Sequence, residues 1–183
     1  MDENSLTGYG LILHVATSTT IQAGSRTIHA SSSEEAEALT LLEAARWATS
    51  MDCKFFWIEG DCKGVIDFAQ GQANTIQWRN QAIIYEAMRI LKSCESFLGF
   101  TFNHRSVNKV ADVLAKQART QGTHKQQSGQ MPSFIQPALD YDFKFLISNA
   151  MCAQTEDNNL LVGSRISVCT NEIRAANSST SLL

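Results

Sequence analysis

An α/β architecture with a mixed β-sheet flanked by helices is predicted from three features of this 183-residue sequence. Two strand-like stretches, Gly8–Val15 and Ser18–Ala30, adjoin through a short connection, the pattern of antiparallel neighbours. Phe55, Phe56, Trp57 and Ile58 form an unbroken run of large apolar side chains, as in a central strand covered on both faces. Helical periodicity then alternates with strand-like sequence. The resulting order is strand, strand, helix, strand, helix, helix, strand, helix, which excludes a purely parallel sheet.

Each element has a local reason. Ser31-Ser32-Ser33-Glu34-Glu35 offers a capping box at a helix start, pairing Ser31 with Glu34 or Ser32 with Glu35. Ala38, Leu41, Leu42, Ala45 and Ala48 then fall on one stripe of a helix reaching Thr49, with Glu37 at the border of that stripe. Lys54–Glu59 is the central strand, and Gly60-Asp61 ends it. A short helix is predicted over Cys62–Ala69 and a longer one over Ile76–Ser93. Leu98, Phe100 and Phe102 alternate on one face of a strand reaching His104. Arg105-Ser106-Val107 reads as a turn, Asn108 as an N-cap, and Lys109–Arg119 as the last helix.

Composition changes at Thr120, where Gln, Gly and Ser dominate. The expected organisation is one domain over residues 1–119, then a linker and mostly disordered tail over 120–183. Within the tail, Tyr141–Ile147 and Gly163–Val168 are candidate isolated elements.

A net charge of −3 gives no global basic signature, so nucleic-acid binding would rest on a local patch. The five cysteines are widely spaced without a CxxC pair, which argues against a zinc module or a disulfide framework and for free thiols in a reducing compartment. The polar N-terminus carries no secretory signal, and no apolar run reaches the ~18 residues of a membrane span. The expectation is a soluble, intracellular monomer with no membrane partner, in the nucleus or the cytoplasm.

Three acids are placed for chemistry: Glu37 early in the first helix, Asp61 beyond the carboxyl end of the central strand, and Asp112 one turn into the last helix. Ligand sites in α/β sheets gather at strand ends. Carboxylates converging at the edge of a core call for a cation. Two Mg²⁺ ions roughly 3.5–4 Å apart, held by hard oxygen ligands, would clamp the attacking water and leaving oxygen of phosphodiester hydrolysis. Taken singly, each acid has another reading: Glu37 as a first-turn glutamate, Asp61 as a helix cap, and Asp112 as an exposed helix residue. Asp52, Glu59, Asp67, Glu86 and Glu95 read as solvated or capping residues, and Trp47, Trp57 and Trp78 as core or core-edge residues.

Glu34-x-Ala36-Glu37-Ala38-Leu39-x-Leu41-Leu42-Glu43-Ala44, Ile58-Glu59-Gly60-Asp61 and His104-Arg105-x-x-Asn108-x-x-Ala111-Asp112-x-Leu114-Ala115-Lys116 occur in that order. Together they resemble the ribonuclease H type 1 fold, and most of all the reverse-transcriptase-like RNase H domains of plants and their retroelements. The likeness runs from about Gly8 to Arg119. It implies a domain that hydrolyses the RNA strand of RNA/DNA hybrids with Mg²⁺, or Mn²⁺. It further implies that Glu37, Asp61 and Asp112 are the second, third and fourth members of an Asp-Glu-Asp-Asp metal set, and that His104 takes part in catalysis. Arg105, Asn108, Lys109 and Lys116 are the candidate nucleic-acid contacts, with Arg119, His124 and Lys125 nearby, and a solvated helix face is the alternative account of these basic residues.

The family pattern opens with a strand bearing the first metal-binding Asp, ahead of the strand seen here as Gly8-Tyr9-Gly10. Only seven residues precede Gly8, so the first strand is expected to be missing by N-terminal truncation and hydrolysis to be impaired. The alternative is a non-catalytic nucleic-acid-binding or vestigial, retroelement-derived domain.

Overall fold

The computed structural model describes residues 5–14, 20–72, 75–94, 96–122, 125–128, 133–141 and 164–171. Strands β1 (Ser5–His14) and β2 (Thr20–Ala30) are followed by α1 (Ser33–Ser50), β3 (Phe56–Gly60), α2 (Lys63–Ala69) and α3 (Trp78–Lys92). Then come β4 (Phe97–Phe102), a 3₁₀ turn at Arg105–Val107, α4 (Lys109–Gln121), β5 (Lys125–Ser128), a 3₁₀ turn at Ser133–Ile135 and β6 (Ser164–Asn171). Residues 136–141 are helical. No helix among the described residues is long and apolar enough to cross a membrane.

The two opening strands pair antiparallel, from Ser5 opposite Ala30 to Leu13 opposite Gln22. Of the two possible capping boxes, the helix start uses Ser32: its hydroxyl accepts from the Glu35 N–H at 3.1 Å, and the Glu35 carboxylate accepts from the Ser31 N–H at 2.8 Å. Because α1 begins at Ser33, Glu37 lies past the first turn, where the helix dipole gives it little.

The sheet runs β4-β3-β6-β1-β2-β5. Here the structure corrects an expectation. The slot between β3 and β1 is not empty: β6, from the far end of the chain, fills it, parallel to β3 and antiparallel to β1. An open slot would strand backbone donors and acceptors at roughly 1–3 kcal/mol for each buried group. β6 supplies their partners along both edges. Residues 164–171 therefore belong to the sheet, as do 125–128, which add an edge strand beside β2. The boundary expected at residue 119 does not separate these segments from the domain, whereas most of Tyr141–Ile147 lies outside the described residues.

Two apolar layers sandwich the sheet. Leu41, Ala45, Ala48, Ile84 and Leu91 pack on one face against Leu11, Phe56, Ile58, Ile166 and Val168. On the other face, Val110, Ala111 and Leu114 of α4, with Ile135, cover Ile12, Ala23 and Cys169. The α4 layer explains the Gly-Tyr-Gly step of β1. A Cβ at Gly8 would lie 2.0 Å from the Ala115 carbonyl oxygen, and one at Gly10 would lie 2.2 Å from that of Ala111. Only glycine lets the helix backbone rest directly on the strand.

Some sequence expectations fail on the β4 side. The bulge between Phe56 and Trp57 breaks the register, and β4 is an edge strand, so Phe100 is buried while Leu98 and Phe102 are exposed. Phe55 does not join β3; it is exposed, and its φ of 48° is in the left-handed region, with its carbonyl accepting from the Ser164 N–H at 2.8 Å. Trp78 is 74% exposed rather than core, with the Arg79 guanidinium 5.4 Å from its ring centroid. Glu59, expected to be solvated, is buried and ion-paired with β6.

Candidate metal and nucleic-acid site

Four elements bring the acids together. The carboxyl end of β3 delivers Asp61, whose side chain is only 4% exposed. The first turn of α4 supplies buried Asp112, and α1 supplies half-buried Glu37. β6 runs between them, and because side chains alternate along a strand, Cys169 and Thr170 face opposite layers. The Cys169 thiol donates to Asp61 Oδ2 at 3.4 Å and lies 3.9 Å from Asp112 Oδ1. The Thr170 hydroxyl donates to Glu37 Oε1. A groove of about 480 Å³ opens beside them, lined among others by Glu37, Asp61, Cys62, Ile76, His104 and Arg105.

Positive charge is already built into this cluster. Arg105 donates to Asp112 Oδ1 from Nε at 3.1 Å and from Nη2 at 2.8 Å. Its Nη2 also donates to the Thr170 carbonyl at 2.5 Å, and its Nε lies 3.7 Å from Asp61 Oδ2. Lys116 Nζ donates to Asp112 Oδ2 at 2.5 Å. Burial raises the carboxyl of Asp112, but the hydrogen bonds from Lys116 and Arg105 outweigh it and hold the group below its ordinary value. Asp61 goes the other way: burial pushes it up, only partly offset by the Cys169 hydrogen bond and Arg105. Burial, reinforced by the charge of Asp61, pushes the Cys169 thiol far up, so it is a neutral donor here. Cys62 is pushed up to about 11, chiefly by burial.

The remaining candidates divide. His104 is exposed at the groove, with Nδ1 2.9 Å from Ser106 Oγ. Asn108 is not a side-chain cap: its Nδ2 donates to the Val168 carbonyl at 2.7 Å, inside the protein, and so fastens β6. Lys109 lies 5.9 Å from the Tyr141 ring centroid. Arg105 and Lys116 bind the acids of the cluster itself. His124 lies outside the described residues. Sequence reasoning missed Cys169, Thr170 and Glu59, the last held by Ser167 Oγ at 3.1 Å and Arg165 at 3.4 Å. The one available signal was the alternation in Gly163–Val168.

The donor set fits a pair of hard divalent ions poorly. A neutral thiol sits between Asp61 and Asp112, both oxygens of Asp112 already accept from cations, and Glu37 accepts from Thr170. One feature favours an ion: Asp61 Oδ1 is buried without a hydrogen-bond partner. Among the described residues, no group of three or more His, Cys, Asp or Glu is disposed to hold a metal.

Comparison with known proteins agrees with this architecture. The family model described as "Reverse transcriptase-like" matches residues 2–118. Among solved structures, the chain is similar to RNase H1 from the halophilic archaeon Halobacterium salinarum NRC-1, at 22% identity and a TM-score of 0.59, over 64% of this chain and 89% of that one. No curated protein matches. At that identity the structural likeness speaks for the ribonuclease H-like fold, which the mixed sheet and flanking helices share.

Proposed function

Since the chain belongs to the reverse transcriptase-like family, we propose that it is an RNase H-like domain that engages RNA/DNA hybrids and hydrolyses their RNA strand poorly or not at all. The observation that carries this reading is the convergence of Glu37, Asp61 and Asp112 on one strand end, with a thiol where a fourth carboxylate would complete the set.

Mg²⁺ or Mn²⁺, if bound as the family resemblance implies, would activate water and stabilise the leaving oxygen. The donor set described above weakens that chemistry in this chain. What remains is recognition. Arg105, about half exposed, presents its guanidinium in the groove, and the half-exposed Lys116 holds its ammonium on the Asp112 carboxylate that Arg105 also binds, so both can contact phosphates. His104 adds an exposed imidazole at the groove for a phosphate or a 2′-hydroxyl, the group that tells RNA from DNA. Binding on a chain of net charge −3 is weak and salt-sensitive. Between a hydrolase and a purely binding module, the Arg105–Asp112 ion pair favours the second for this chain.

The test is fluorescence anisotropy with a labelled RNA/DNA hybrid, duplex DNA and single-stranded RNA, alongside gel analysis of hybrid cleavage in Mg²⁺ or Mn²⁺. The hybrid should bind more tightly than duplex DNA and stay largely intact, and Asp61→Asn should change the cleavage little. Rapid cutting abolished by Asp61→Asn would refute the impairment, and equal affinity for all three substrates would refute the assignment.

A further inference from the structure

We propose that Cys169 is the residue that closes this site to divalent metal, and that Cys169→Asp alone converts the chain into a Mg²⁺- and Mn²⁺-binding protein. The inference rests on the reading above and goes further by assigning the loss of metal chemistry to one atom set on a strand of the C-terminal segment.

Three observations lead there. First, β6 occupies the slot beside Gly8-Tyr9-Gly10, with Cys169 directly opposite Gly10 and the strand parallel to β3. Second, Cys169 is the β6 side chain that faces both Asp61, past the end of β3, and Asp112, in the first turn of α4, with its Sγ 3.4 Å from Asp61 and 3.9 Å from Asp112. A carboxylate at this position would stand between the two acids. Third, Asp61 Oδ1 is buried and without a hydrogen-bond partner, while Oδ2 of the same carboxylate is held by the thiol. Half of this carboxylate is thus already available to a cation.

A carboxylate at position 169 changes the balance of charge. Asp61, Asp112 and the new group would stand together beside Arg105 and Lys116, side chains 49% and 55% exposed that both pair with Asp112. Three close carboxylates against one guanidinium and one ammonium leave net negative charge in a largely buried place, which a divalent ion with oxygen ligands relieves. The sulfur between the two acids is a soft atom that offers Mg²⁺ or Mn²⁺ no oxygen ligand.

The full chain, Cys169→Asp and Cys169→Ser are compared by thermal melts in EDTA, Mg²⁺ and Mn²⁺, with free Mn²⁺ followed by electron paramagnetic resonance. No nucleic acid is present, so failure here is separate from failure of hybrid recognition. The native chain and Cys169→Ser should melt at the same temperature in all three solutions and leave the Mn²⁺ signal unchanged. Cys169→Asp should deplete the Mn²⁺ signal and gain about 5 °C or more in Tm at saturating metal. If Cys169→Asp is unfolded in EDTA, recovery of its far-UV circular dichroism on adding Mn²⁺ supports the proposal in the same way, because binding energy then becomes folding energy. The proposal is overturned if the native chain responds to metal as strongly as the variant, or if Cys169→Asp, folded or unfolded, is indifferent to it.

Discussion

β3 and β6 are neighbours in the middle of one sheet, paired in register from Phe56 and Ser164 to Gly60 and Val168, yet their sequences have little in common. β3 enters through a solid apolar run and keeps Phe56 and Ile58 wholly buried. β6 alternates: Ile166 and Val168 face the α1–α3 layer, while Arg165, Ser167 and Cys169 take the other side. Its polar groups are offset by partners brought from elsewhere. Glu59 holds Arg165 and Ser167, Glu37 accepts from Thr170, and Asn108 holds the Val168 carbonyl. A central strand can therefore be specified by its own hydrophobicity, as β3 is, or by the donors and acceptors waiting in its slot.

The strongest test of that comparison uses the matched pair Ile58 and Ile166, which are register partners and both fully buried. Ile58→Ala and Ile166→Ala should each cost about 2–5 kcal/mol in urea unfolding. A cost at Ile58 with none at Ile166 would mean that β6 does not occupy the slot in solution.

A smaller effect tests how β6 is fastened. Asn108→Ala leaves the Val168 carbonyl without its side-chain donor and should cost roughly 1–3 kcal/mol, with amide exchange quickening in β6 before β3. Equal quickening in both strands would argue that Asn108 serves the sheet as a whole.

The smallest effect concerns pH. Asp112 is held below its ordinary value, so its contribution to stability is present above the unfolded value near about 3.9 and is lost as pH falls through the lower folded value. Asp61 and Glu59 are raised by burial, so their contribution has the opposite sign, present at low pH and lost as pH rises through their folded values. Asp112→Asn should therefore flatten the loss of stability below about pH 4, by less than about 1 kcal/mol because Arg105 and Lys116 are half exposed. An unchanged acid limb in the urea midpoints would show that these ion pairs add nothing.

Much of the site was legible in the chain. Glu37, Asp61 and Asp112 were marked by their places on a helix border, a strand end and a helix start, and the structure gathers them around one strand end. Arg105 and Lys116 were legible as cations but not as partners of Asp112, because a positive side chain near an acid in sequence serves equally well to contact phosphate. Glu59 was misread because a glutamate next to a glycine and an aspartate looks solvated until Ser167 and Arg165 come to meet it.

The sequence by itself determined what depends on neighbours a few residues apart: a serine–glutamate cap at the start of α1, the apolar stripe of α1, the buried run of β3 and the order of elements through α4. It also carried the Gly-Tyr-Gly step, although the reason for it, the backbone of α4 lying on β1, is visible only when the two elements meet. Which strand lies between β3 and β1, and therefore that a thiol stands among the acids, was decided by the tertiary structure alone. Ser167 and Glu59 are 108 residues apart, as are Cys169 and Asp61. No local period registers a contact at that separation, because β6 becomes a central strand only where two other strands have already left their backbone groups unpaired.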